Sequence, residues 1–115
     1  MIKIKNYAGN EIELKVVIGR YPLGGQLYIS LMMENEDGEE ELYDVVTRNI
    51  PEFKPMLSEN QTFIPIKEYK SGNETTQALL KQGVLQETPF DIPYNYYRMA
   101  IYDVCLDKAD EIVVE

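Results

Sequence analysis

The stretch ENEDGEEELYD, residues 34–44, places seven carboxylates in eleven positions with no cation among them: Glu34, Glu36, Asp37, Glu39, Glu40, Glu41 and Asp44. Such density admits three chemistries: oxygen ligands for a hard cation, a carboxylate pair for acid–base work, or an anionic surface for a basic partner. A calcium-binding loop arranges its ligands around a glycine at the sixth position. Counting back from Gly38 puts Met33 at the first, and its thioether is no ligand for a hard cation. Glu36-Asp37-Gly38-Glu39 reads instead as a hairpin turn with Asp-Gly at its core. In the strands on either side, successive side chains point to opposite faces. Glu39 and Glu41 then share one face, while Glu40 and Leu42 share the other. The carboxylates diverge around a tip, whereas a cage or a catalytic pair needs them to converge.

Elsewhere the chain offers little catalytic machinery. It has no histidine, which removes Ser–His–Asp and Cys–His catalysis and the histidine-containing zinc sites. The single cysteine, Cys105, makes neither an internal disulfide nor a thiolate zinc site, and its place in the last long apolar run reads as a small core residue. Gly24-Gly25 lacks the Lys-Ser/Thr and helix of a phosphate-binding loop. Glu68-Tyr69-Lys70, with Asp44 upstream, has the residue types of a metal-dependent nuclease. The same triplet spacing recurs at Glu13-Leu14-Lys15, so it carries little weight. The expectation is a protein that is not an enzyme, with no catalytic residue, metal or cofactor. A second candidate surface is PYNYYRMAIYD, where Tyr94, Tyr96, Tyr97 and Tyr102 surround Arg98. Tyrosine and arginine are frequent interface anchors, and Tyr97 with Phe90 offers rings for stacking. Tyrosine also simply favours strands.

Charge is unevenly spread. The net charge is −9, and residues 31–44 hold seven acids and no cation. Residues 101–115 add five acids against one lysine, while residues 1–30 carry a small cationic excess. Such a surface repels phosphates, so direct nucleic-acid binding is not expected. Capture of a basic protein is, although acidic balance also serves solubility. No apolar run is long enough for a membrane helix, and the first fifteen residues lack the apolar core of a signal peptide. A cytoplasmic, reducing location fits these features.

The elements that must position these groups follow from periodicity. Ile2 and Ile4 alternate with Lys3 and Lys5, and Ala8-Gly9-Asn10 forms a turn. Ile12 to Ile18 alternates as a second strand. RYPLGGQ supplies the next turn. Leu27, Ile29, Leu31 and Met33 line one face of a third strand, and Leu42–Thr47 returns as a fourth. Residues 50–60 are expected to be irregular, because Pro51 and Pro55 oppose helix and central strand. Thr62–Ile66 reads as an edge strand. Ser71–Gly83 is the one good helix, capped by Ser71 or Asn73 and closed by Gly83. Val84–Thr88 reads as a short strand and Pro89–Asn95 as a loop. Tyr96–Leu106 is strongly strand-like, and Ile112-Val113-Val114 suggests a terminal edge strand. The expected architecture is one α+β domain over residues 1–115, an antiparallel sheet of about five to seven strands with one main helix, about 73–82, packed on it.

The order of segments also carries a likeness. LYISLMMENEDGEEELYDVVTRNIPEF, LSENQTFIPIKEY, LLKQGVLQET and PYNYYRMAIYDV together resemble a small family of single-domain accessory proteins. These belong to conjugative elements and phages of low-GC Gram-positive bacteria. The likeness spans residues 27–106, with Ile50-Pro51 where the pattern has Leu-Pro. It brings no catalytic residues. The resemblance implies a mobile-element setting, in which small acidic proteins block host defence as anti-CRISPR or anti-restriction proteins do. The partner so implied is a basic nucleic-acid-binding host protein, such as a CRISPR effector or a restriction nuclease. Its contacts would come from the 34–44 hairpin and the acidic tail from Asp103. The alternative is a structural or regulatory module of the element that acts through its Tyr-rich strand.

Overall fold

The computed structural model describes residues 1–5, 8–66 and 74–113. Eight strands and one α-helix lie among them: β1 (Ile2–Lys5), β2 (Glu11–Arg20), β3 (Leu27–Glu34), β4 (Glu40–Val45), β5 (Gln61–Pro65), α1 (Glu74–Lys81), β6 (Leu85–Tyr94), β7 (Tyr97–Val104) and β8 (Glu111–Ile112). The α+β class expected from periodicity is what the chain adopts. The strands, however, exceed the expected count and divide between two sheets. β1-β2-β3-β4 is an antiparallel meander, and β8 joins it in parallel beside β2. The second sheet has the order β5-β7-β6.

β1 and β8 share one edge of β2. β1 pairs with Glu11–Leu14 and β8 with Val17–Ile18. At the gap between them, the Asp110 carboxylate accepts the Val16 N–H at 2.8 Å and the terminal ammonium of Met1 at 2.9 Å. A side chain thus completes a ladder that no strand reaches, as a backbone donor at half-buried depth requires.

Alternation decides what each sheet buries. Leu14, Val16 and Ile18 of β2 and Leu27, Ile29 and Leu31 of β3 turn inward and meet Ile64, Leu79, Leu85 and Val104 in the main core. The three-stranded sheet has a second apolar face. Phe63, Ile92, Met99 and Ile101 pack there against Ile50, Phe53 and Leu57. The chain between the sheets is therefore not irregular throughout: Pro51–Met56 is a 3₁₀ helix with Pro51 at its start, where proline's missing N–H costs nothing. Full burial of such a side chain contributes about 1.5–3 kcal/mol.

The two sheets are also joined by polar groups. Gln26, 1 % exposed, donates from Nε2 to Arg48 O and Thr62 Oγ1, and its Oε1 accepts from Ile50 N. Thr62 Oγ1 in turn donates to Leu27 O at 2.7 Å. All of the amide's partners come from the linking segment and β5, so this buried group is satisfied only when both sheets are in place.

Three further readings need correction. Pro89–Asn95 is not a loop. β6 runs unbroken through it as an edge strand, where prolines are tolerated, with a bulge between Glu87 and Asp91. Thr88 Oγ1 ties that bulge to Ile101 O. Cys105 lies just beyond β7 at the start of a short 3₁₀ turn, half-buried and not within the strand. The terminal strand starts earlier than expected, at Glu111, and ends at Ile112; Val114 of the expected strand lies outside the described residues. The edge strand expected over Thr62–Ile66 forms as β5, Gln61–Pro65, and the central place of β7 holds as well. The expected caps Ser71 and Asn73 lie outside the described residues, as does the Glu68–Lys70 triplet. Among the described residues no helix is long and apolar enough to cross a membrane.

Candidate functional site

The acidic stretch forms the hairpin that joins β3 to β4. Its turn is organised by a residue the sequence reading passed over. Asn35 Oδ1 accepts from Asp37 N and Glu39 N, both at 3.0 Å, and Gly38 N donates to Asn35 O. Gly38 sits at φ +80°, the left-handed residue that closes a three-residue hairpin loop. The turn is thus centred on Glu36-Asp37-Gly38 and built by the asparagine side chain before them.

Its carboxylates do diverge. Glu34, Glu36, Asp37, Glu39, Glu40 and Glu41 are exposed, and Asp44 is half-buried past a bulge in β4. Only Glu40 among them forms an ion pair within the described residues, 3.0 Å from Lys15 Nζ. The same ammonium lies 3.3 Å from Glu111. The hydrogen bond that Lys15 donates to Glu40, then that to Glu111, raises the Lys15 pKa. No group of three or more described acids, cysteines or histidines is arranged to hold a metal ion.

The face of the meander away from the core has its own order. Lys15, Met32 and Leu42 form one lateral row across β2, β3 and β4. One step nearer the hairpin, Glu34 stands directly opposite Glu40. Two residues from Lys15 along β2, Glu13 falls on the same face, beyond the last β2–β3 pair and opposite Lys3 of β1. Like charges directly opposite destabilise a sheet, and of the pair Glu34 and Glu40 Lys15 reaches only Glu40. At this end of the sheet lies a cleft of about 410 Å³, lined by Ile12, Met32 and Met33, by Glu13, Glu34 and Glu40, and by Lys15 and Met1. Glu13, Lys15, Met32 and Met33 escaped the sequence reading, because only strand register brings them to the acidic hairpin.

The aromatic stretch forms the β6–β7 hairpin, with a two-residue loop in which Asn95 takes φ +55°. Tyr96 is 99 % exposed and Tyr97 66 %. Phe90 is exposed as well, in the β6 bulge. Tyr94 turns the other way: it packs edge-on against Phe53, 6.3 Å between centroids, at the second core. Arg98 is ion-paired with Asp91 across the two strands. The hydrogen bond from Arg98 lowers the Asp91 pKa. Tyr102 lies along the main core, and burial first, then nearby Glu87, raises its phenol pKa. The candidate residues therefore occupy two separate hairpins, one from each sheet. No protein-family model, curated protein or solved structure matches the chain.

Proposed function

We propose that this chain is a non-enzymatic binding protein that presents the hairpin of Glu34–Asp44 to a basic, nucleic-acid-binding surface of a partner protein. The observation that carries this reading is the set of exposed carboxylates on a side-chain-braced turn, of which only Glu40 has a cationic partner among the described residues. Carboxylates without a cation among the described residues can engage arginines and lysines that otherwise hold phosphates. The resemblance over residues 27–106 supplies the setting, a mobile element. The partner it suggests is a host defence nuclease such as a CRISPR effector or a restriction enzyme.

The test is DNA cleavage by a guide-loaded CRISPR effector and by a restriction enzyme, with this protein added before or after DNA at two salt concentrations. Competition for a basic channel gives inhibition only on prior addition, weakened by salt. Inhibition that ignores the order of addition and the salt defeats the reading.

A second reading rests on the other hairpin. The fully exposed Tyr96 beside Tyr97, with exposed Phe90 further along the same hairpin, suits a protein contact of apolar and aromatic character. Binding by that surface would survive high salt and be lost in Tyr96→Ala with Tyr97→Ala.

A further inference from the structure

We infer that the cleft at the hairpin end of the five-stranded sheet receives an arginine side chain of the basic partner. Its alkyl stem lies along Met32, Met33 and Ile12, and its guanidinium is held between Glu13 and Glu34. The inference rests on the acidic-hairpin reading above and gives it a specific anchor.

Three observations support the assignment. First, Ile12, Met32 and Met33 share the lining of a cleft of about 410 Å³ with the acids. The methionines make that lining adaptable, since their unbranched thioethers repack around a guest. Second, the charge around it is unbalanced. Glu34 and Glu40 face each other across β3 and β4, Glu13 lines the same cleft from β2, and Lys15 forms an ion pair with Glu40 but with neither of the others. Lys3, opposite Glu13 in the β1–β2 ladder, pairs diagonally with Glu11 at 3.8 Å instead. A cation entering the cleft would relieve repulsion that the described residues leave in place. Third, the shape of the charge favours arginine over lysine. Two carboxylates on neighbouring strands suit a planar fork with several donors better than a point charge, and the guanidinium gives up its hydration more readily.

The acids themselves argue against a second copy of this chain in the cleft. The net charge is −9, so two copies approaching through this end repel each other.

The experiment uses the full chain labelled with ¹³C at its methionine methyls. Probes are an alternating arginine–leucine peptide and its lysine–leucine counterpart. The chain has five methionines, and Met56 on the 3₁₀ helix and Met99 in the second core serve as internal controls. The expected result is that the Met32 and Met33 resonances move on titration while those of Met56 and Met99 stay. Glu34→Gln and Glu13→Gln should each weaken arginine-peptide binding about tenfold, the loss of one charge-assisted hydrogen bond. Glu59→Gln, the same charge change at a distant exposed position, should leave it unchanged. The lysine peptide should bind more weakly.

Salt-sensitive binding that leaves the Met32 and Met33 methyls unmoved overturns the cleft but not the acidic hairpin. Absence of any salt-sensitive binding overturns both. Equal affinity for the two peptides overturns the choice of arginine. Self-association that disappears in Glu34→Gln would show a second copy as the occupant and overturn the proposal. Thermal unfolding of each variant separates lost binding from lost fold.

Discussion

Gln26 is a polar residue at the seam where the two sheets meet. Its amide serves Arg48 O, Thr62 Oγ1 and Ile50 N at a position 1 % exposed. Gln26→Leu keeps the volume but strands those groups away from water. The expected cost is about 2–4 kcal/mol, read as a lower urea midpoint. Glu34 has the opposite character. It faces Glu40 across the ladder without a cation of its own among the described residues. Glu34→Gln should stabilise the fold by about 0.3 kcal/mol in thermal unfolding while weakening capture of a basic partner. A residue whose removal helps folding and harms binding is one retained for binding, and a loss of both would contradict that role. Gln26 carries no sequence signal, since a lone glutamine beside a turn resembles any surface residue. The hairpin acids were legible as a group, but Glu34 as the unrelieved member was not.

At the scale of elements, the helix ends as its sequence indicates. Val84 N donates to Leu79 O and Gly83 N to Leu80 O, the paired bonds of a left-handed helix terminus. Gly83 has φ +78°, and a Cβ there would meet nothing nearer than Lys108 Cε at 3.9 Å. Gly83→Ala therefore carries backbone strain without a clash, an expected loss of about 1–2 kcal/mol in chemical denaturation. Sheet edges are guarded by different means. β4 carries carboxylates, β5 has Pro65, and β6 has Pro89 and Pro93. Charge and proline both discourage pairing with another strand. The prolines of β6 explain why residues 89–95 read as a loop. Local preference opposes a strand there, and pairing with β7 overrides it at an edge, where a missing N–H leaves no gap in a ladder. The 3₁₀ helix was hidden for a similar reason: its prolines exclude an α-helix, but its apolar residues still need the cover of the second sheet.

For the whole molecule, charge sets the response to pH and salt. Lys15 and Tyr102 both have raised pKa values in the folded chain, Lys15 through Glu40 and then Glu111, Tyr102 through burial and then Glu87. A raised folded value means the unfolded chain loses its proton first. Their contribution is complete below the ordinary lysine and tyrosine ranges and is lost as pH rises through the folded values. The urea midpoint should therefore fall as pH rises above the ordinary tyrosine and lysine values of about 10, less steeply in Lys15→Met and in Tyr102→Phe. Binding should be salt-sensitive in turn. Replacing Glu36, Asp37 and Glu39 together by their amides should slow association with a basic partner about tenfold at low salt and flatten its salt dependence. Stopped-flow measurement at two ionic strengths checks both.

Alternation and turn chemistry, which are local, determined the meander, the helix, the central β7 and the position of the acidic tip. A period of two and an Asp-Gly pair need no distant partner to be read. Tertiary structure decided the division into two sheets, the insertion of β8 beside β1, the Gln26 seam and the inward turn of Tyr94. It also decided which carboxylates stand together. Glu13 and Glu34 are far apart in the chain, and only the pairing of β2 with β3 brings them to one cleft beside Met32. Register arises from burying Val16, Ile18, Ile29 and Leu31 on the same side. A slip of one residue would turn every one of those side chains to water. The placement of the cleft acids therefore follows from how the core packs and not from their own sequence neighbourhood.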